Sequence, residues 1–164
     1  MGLFNKKRKE KRQVSIQKVT KLESKELTYH PKIIIAWAKA IEGNTDLLNY
    51  LNENGFEELF MATYALKLKD EARDWLMKNG YPHLMAFINA AEGNQQALQW
   101  LKMNNFTALY YMAEAIDGEQ NGYKGFAWLK NNATPDIFEL TRIIKKLKDG
   151  IEENHNDVHS FGVD

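Results

Sequence analysis

The chain has 164 residues, 44% hydrophobic and 27% charged, with no cysteine. Such a length and mix fit one globular domain that can bury a core; the missing cysteine excludes disulfides and thiolate metal sites and fits a reducing, cytoplasmic setting. The formal net charge of zero hides an asymmetry: residues 1–30 hold nine basic against three acidic side chains, a net of +6, and the remainder thirteen against nineteen, a net of −6.

The chain starts MGLFNKKRKEKRQ. No apolar h-region follows the charges, so the segment does not read as a secretory signal. No run of about 18 apolar residues offers a transmembrane helix anywhere in the chain. Residues 1–26 are expected to form a basic arm, disordered or extended. Within it Lys6, Lys7, Arg8, Lys9, Lys11 and Arg12 could meet an anionic membrane surface or nucleic acid by charge alone. The simpler reading is a solubilising tail, or one that docks on the acidic body. Met1-Gly2 resembles a myristoylation start, but Lys6 stands where Ser or Thr is expected.

From residue 27 the chain repeats itself every 25 residues, which is the mark of a stacked architecture. Leu51, Leu76 and Leu101 align, as do Tyr50, Trp75 and Trp100, then Asn54, Asn79 and Asn104, then Phe56, Tyr81 and Phe106. Trp128, Leu129 and Asn132 continue the pattern after three extra residues. Ala40, Ala65, Ala90 and Ala115 align upstream, and so do Ile34, Leu59, Leu84 and Leu109. Gly43, Gly93 and Gly118 form a further column, with Leu68 as its exception.

Each unit predicts two short helices. The first starts near Phe56, Tyr81 or Phe106 and carries apolar residues at helical spacing, as in Leu84, Phe87, Ile88 and Ala91. It stops at the glycine, which suits a left-handed C′ position. Asn44 and Asn94 are expected N-caps of the second helix, and Pro31 and Pro82 fit a first helical turn. The second helix ends at Asn-Gly or Asn-Asn, residues that tolerate positive φ. The alanine column predicts close helix crossings. One pair is too small to bury its own apolar face, so stacking must complete the core.

The stretch AAEGNQQALQWLKMNN, Ala90 to Asn105, resembles the helical part of an ankyrin repeat. It shares the Ala-Ala pair, the Gly with a polar neighbour, the paired aliphatics and the closing turn. The period of 25 falls short of about 33 for ankyrin, and Tyr81-Pro82-His83-Leu84 is the nearest text to the Thr-Pro-Leu-His signature. The resemblance implies stacked helix pairs without the β-hairpin, over residues 31 to about 133, and no ligand residues.

Residues 134–149 predict one more helix, with Thr134 as N-cap, Pro135 first and Asp136 at the positive end of the dipole. Ile137, Leu140, Ile144 and Leu147 form its apolar stripe, and Lys145, Lys146 and Lys148 suit its C-terminus. It is expected to cap the stack, with 150–164 a polar flexible tail. The fold expected is therefore all-α: a short α-solenoid of about four 25-residue helix pairs over 27–133, with a capping helix at 134–149.

Chemistry is sparse. His155 and His159 stand at i and i+4 with Asp157 between them, a spacing that can share a metal, but a solvated tail explains them more simply. His30 and His83 adjoin prolines and read as helix-start or surface residues. No nucleophile–base order or phosphate loop is present, and YKGFAW lacks a glycine-rich cradle. The expectation is a non-enzymatic protein–protein interaction module, an adaptor or scaffold without cofactor or metal. Trp75, Trp100 and Trp128 could grip a protein or peptide, since Trp and Tyr dominate hot spots, although core packing is the plainer reading. Glu92 and Asp117, one period apart, could line a surface for a basic partner. The alternative is a peripheral membrane- or nucleic-acid-associating protein working through the basic arm.

Overall fold

A computed structural model describes residues 27–118 and 121–160, with side chains to residue 156; the basic cluster Lys6 to Arg12 lies outside the described residues. These residues form nine α-helices and no strand. They are α1 (Pro31–Ile41), α2 (Thr45–Glu53), α3 (Glu57–Leu66), α4 (Asp70–Lys78), α5 (Pro82–Ala91), α6 (Gln95–Met103), α7 (Thr107–Asp117), α8 (Gly122–Asn132) and α9 (Pro135–Ser160). The described residues are all-α, built from packed helices that touch their sequence neighbours in turn.

Local chemistry sets the starts. Pro31 and Pro82 occupy first turns, where a missing N–H costs nothing. Asn44 Oδ1 accepts from Leu47 N at 3.0 Å, and Asn94 Oδ1 from Ala97 N at 2.9 Å. His30 caps α1, its Nδ1 accepting from Lys32 N at 3.1 Å.

The ends use two devices. The first helix of each pair closes on a left-handed residue: Gly43 (φ 107°), Gly93 (φ 93°) and Gly118 (φ 71°). Leu68, the exception in that column, is forced to the same conformation (φ 67°). After the second helices, Gly55, Gly80 and Asn105 take positive φ. The preceding asparagines do not; Asn54, Asn79 and Asn104 keep negative φ. Each instead donates Nδ2 to the carbonyl of the aromatic four residues back, at 2.8 Å to Tyr50, Trp75 and Trp100. Asn132 does so to Trp128 at 2.9 Å. The recurrent asparagine therefore adds a second donor to a carbonyl that its own backbone N–H already meets, tightening the helix end.

The expected columns are core. Leu51, Leu76, Leu101 and Leu129 are fully buried, as are Ile34, Leu59, Leu84 and Leu109 and the alanines 40, 65, 90 and 115. Trp37, Ala62, Phe87 and Met112 share another column inside, where Trp37 Nε1 donates to Thr63 Oγ1 at 3.1 Å. Gly125 is buried too: a Cβ there would meet Tyr111 O at 2.6 Å and Ala115 N at 2.7 Å. The glycine of YKGFAW is thus a point of closest approach between α7 and α8.

The last helix differs from the expectation in two respects. It does not end at Asp149 but runs through Gly150 to Ser160, so 150–160 is helix rather than tail. It also crosses the C-terminal ends of the odd-numbered helices rather than closing one end. Phe138 packs edge-on with Phe126 of α8. Lys145 Nζ reaches Ile116 O of α7 at 3.4 Å, and Lys148 Nζ reaches Leu66 O of α3 at 2.8 Å. Ile143, Leu147 and Ile151 face Ile41 and Glu42 at the end of α1. The two lysines therefore complement the negative ends of other helices, not of their own.

Candidate functional site

Each pair of helices has two ends. At one, an odd-numbered helix stops and an even-numbered one begins; α9 lies there. At the other, the even-numbered helix stops beside its tryptophan and the next odd-numbered helix begins. About nine residues of helix, roughly 13 Å, separate the two.

The covered end holds the most elaborate charge network. Arg73 grips Glu92 with two nitrogens, Nη2 to Oε1 at 2.6 Å and Nη1 to Oε2 at 3.1 Å, and donates to Ala65 O at 3.1 Å. Lys148, only 6% exposed, donates to the same Oε1 of Glu92. Burial pushes the Glu92 carboxyl upward, but the hydrogen bonds and charges of Arg73 and Lys148 outweigh it and hold it below the ordinary value. Burial lowers the Lys148 ammonium, and a carboxylate shared with Arg73 compensates only in part. Asp117 lies against the neighbouring turn, its Oδ1 3.3 Å from where a Cβ on Gly93 would stand. Glu92 and Asp117 thus sit at the α9 end, and Glu92 is committed to partners inside the molecule. Both lie at the end away from the Trp75–Trp100 rings.

The open end carries the aromatic residues. Trp75 stacks on Tyr81 at 5.9 Å and Trp100 on Phe106 at 5.5 Å, each ring on the aromatic six residues later. His83 links the two pairs, tilted 6.2 Å from Tyr81 and parallel to Phe106 at 5.5 Å. One run of rings, Trp75–Tyr81–His83–Phe106–Trp100, therefore crosses from one helix pair to the next. Burial holds the His83 imidazole below the usual histidine value, in its neutral form. Trp100 remains 38% exposed, and Met103, one turn further along α6, is 80% exposed. Trp75 and Trp128 are half-buried. The tryptophans are thus neither full core nor free: each lays its ring on a neighbour.

Trp128 stands apart from the other two. It stacks on Tyr111 at 4.3 Å, and Tyr111 meets Tyr110 edge-on at 5.1 Å. Beside them α7 and α8 frame a groove of about 570 Å³ with Lys102, Lys124 and Asn131 on its walls. Tyr110 donates its hydroxyl to Glu114 Oε1 at 2.8 Å; burial first, then that carboxylate, push its pKa up to about 12.

Sequence reasoning missed His83 and Tyr111. The period offered a hint for the first: Glu58, His83 and Ala108 share a column facing the preceding pair. In the first unit the same place is used differently, with Tyr29 donating to Glu58 at 2.7 Å. Among the described residues no three His, Asp or Glu side chains are grouped to hold a metal ion, and no helix is long and apolar enough to cross a membrane. His155 lies exposed on α9; the side chain of His159 lies outside the described residues.

Comparison with protein-family models, curated proteins and solved structures finds no match to this chain. The likeness to ankyrin helices therefore rests on its residues alone.

Proposed function

We propose that the chain is a short α-solenoid of about four 25-residue helix pairs, acting as a non-enzymatic adaptor or scaffold that binds protein through its open, aromatic end. The observation that carries this reading is the ring run Trp75–Tyr81–His83–Phe106–Trp100, which crosses two pairs, with the exposed Met103 one helical turn after Trp100. Pre-ordered aromatics with adaptable methionines are what protein-binding surfaces concentrate. The face choice follows from α9, which already occupies the opposite end. The recurrence of buried leucine and alanine columns supports the solenoid, whose stacking makes extended surfaces.

The test compares full-length protein with a Trp100→Ala, Met103→Ser variant in affinity capture from native lysate. A partner held by the first and lost by the second, with helicity unchanged, supports the reading. Equal recovery by both sinks the aromatic end as the binding face.

A second reading rests on the +6 charge of residues 1–30. Here the repeats are a rigid handle and Lys6 to Arg12 meet an anionic membrane or nucleic acid. It requires salt-sensitive binding to anionic vesicles or DNA that disappears when those six charges are neutralised; binding that survives neutralisation refutes it.

A further inference from the structure

We propose that the groove between the end of α1 and α9 seats the chain's own N-terminal arm, residues 6–22, and that this contact holds the basic cluster of the arm against the body. The site lies at the end opposite the aromatic rings and does not depend on what those rings bind. The groove, about 440 Å³, is lined by Ile41, Ile143, Leu147 and Ile151, with Glu42 and Lys146 beside them. Leu147 and Ile151 are only partly buried. Gly150 lines the groove too, and a Cβ there would meet no atom within 4 Å, so the groove runs open above that turn of α9. An apolar floor of this kind is a surface for a further segment to cover.

Charge selects the occupant. The net charge of −6 outside residues 1–30 is not spread over the body. Residues 40–66 and 149–164 hold ten carboxylates and no Lys or Arg, while the rest of 31–164 holds nine carboxylates against thirteen cations. The whole negative balance thus sits in two segments, and they meet at this groove, through Ile41 and Glu42 on one side and Gly150, Ile151 and Asn154 on the other. Glu42 and Asp149 are engaged by Lys39 and Lys145. Asp46, Glu152 and Glu153 are exposed and have no cation within 4 Å among the described residues. The carboxylates of α9 also stand at its C-terminal end, where the helix dipole is already negative, so they gain from cations brought by another segment. The two grooves beside α8 have the opposite balance. Lys102 and Lys124 face Glu114 in one, and Arg142, Lys145 and Lys146 outnumber Asp149 and Glu153 in the other.

The arm matches the groove in sign, apolar content and reach. Residues 1–26 carry nine cations against three carboxylates, and Val14, Ile16, Val19 and Leu22 are spaced through the second half. A basic segment with interspersed aliphatics suits an apolar groove flanked by carboxylates. The arm leaves the body at the first helix pair, where Leu27 and Tyr29 pack on the core and Tyr29 donates to Glu58 at 2.7 Å. Leu22 stands five residues before Leu27, a reach of roughly 17 Å when extended. That is about the length of α1, which leads to the groove. Ten more residues, roughly 33 Å, carry Arg12 to the last turns of α9. A segment tethered this closely acts at an effective concentration of about millimolar, which favours it over the same sequence on a separate molecule.

The experiment is paramagnetic relaxation NMR on the full-length protein with a nitroxide on Ser15→Cys, a unique attachment point because the chain has no cysteine. The expected result is broadening of the amide signals of Gly43, Asp46, Gly150 and Glu153, with those of Gly80 and Asn105 at the open end unaffected. The broadening should weaken in about 1 M NaCl, where the Debye length falls to about 3 Å. It should weaken also in Glu152→Gln, Glu153→Gln protein, and in Gly150→Leu protein, whose new side chain fills the groove. The substituted carboxylates are exposed and the space at Gly150 is open, so helicity should be unchanged. Broadening that is even over the surface, or strongest at Gly80 and Asn105, overturns the proposal. So does groove broadening that neither salt nor these variants change. Broadening of equal strength in an isotope-labelled chain without nitroxide, mixed with an unlabelled chain that carries it, makes a second copy the occupant and overturns the proposal too.

Discussion

Two glycines inside helices should respond in opposite directions to the same change. Gly125 and Gly150 both lie within helices, α8 and α9. Replacing a helical glycine by alanine ordinarily stabilises by about 1 kcal/mol, because glycine loses more backbone freedom on folding. At Gly150 nothing lies within 4 Å of the new Cβ, so that gain should be realised in full. At Gly125 the Cβ would stand 2.6 Å from Tyr111 O, 2.7 Å from Ala115 N and 3.0 Å from Ala115 Cα. All three are backbone atoms of α7 and cannot rotate away.

Ordinary contact begins near 3.4 Å, so α7 and α8 would have to separate by roughly 0.7 Å in a close-packed core. Overpacking of this kind costs about 1–3 kcal/mol, and rigid backbone neighbours put it at the upper end. Subtracting the propensity gain leaves Gly125→Ala destabilised by about 2 kcal/mol. For a chain of this size that lowers Tm by roughly 4–8 °C, while Gly150→Ala raises it by about 2–4 °C. Thermal and urea unfolding followed by far-UV circular dichroism reads both. A Gly125→Ala protein as stable as wild type would refute the close α7–α8 crossing. Destabilised Gly150→Ala protein would refute the continuation of α9 through that residue.

Three further outcomes follow from the same geometry. Leu68→Gly should stabilise by about 0.5–1 kcal/mol, because the left-handed strain it relieves exceeds the entropy glycine adds; a loss in urea midpoint would count against that turn. Ala90→Leu should cost about 1–3 kcal/mol by overpacking a buried column position, and a neutral result would mean the column is not a close contact. Glu92 governs the acid limb of stability. Its folded carboxyl lies below the ordinary value of 4.5, so on acidification the unfolded chain takes up the proton first. The stabilisation is complete above that value and lost as pH falls through the folded one. Glu92→Gln should therefore flatten the pH dependence below about pH 4.5 and cost about 2 kcal/mol at neutral pH, by leaving Arg73 and Lys148 short of a counter-charge. An unchanged acid limb by urea titration at several pH values would show that the pair does not shift this carboxyl.

What the sequence made legible was periodic or local. The leucine, alanine and glycine columns announced core and turns, because one residue type in one register meets one environment in every pair. Caps were equally readable, since Asn44 and Asn94 act on atoms three residues away and Pro82 on its own backbone. Leu68 shows the limit of reading by residue type. It broke the glycine column in sequence yet holds the same backbone conformation, because the turn is imposed by the helices on either side. The Asn-Gly and Asn-Asn ends read as tolerant of positive φ, and their second residue takes it. What the type did not show is that the first asparagine keeps negative φ and lays its Nδ2 on a carbonyl its backbone N–H already meets.

What stayed hidden depends on contacts far apart in the chain. Arg73 and Glu92 are nineteen residues apart, and Lys148 meets Glu92 across fifty-six; no spacing rule reaches that far. The lysines at 145 and 148 were legible as a basic helix end, the common use of such residues. They serve helix ends too, but those of α7 and α3, and that inversion governs how the surface is allotted. A helix that merely closed one end of a stack would leave both ends of every pair open to partners. A helix laid across the C-termini of α1, α3 and α7, with lysines on the carbonyls of α3 and α7, covers one of them. The aromatic rings at the other end are left uncovered by α9, with Trp100 38% exposed. Which end α9 covers is therefore decided less by the tryptophans, which the sequence displays, than by two lysines whose partners lie in other helices.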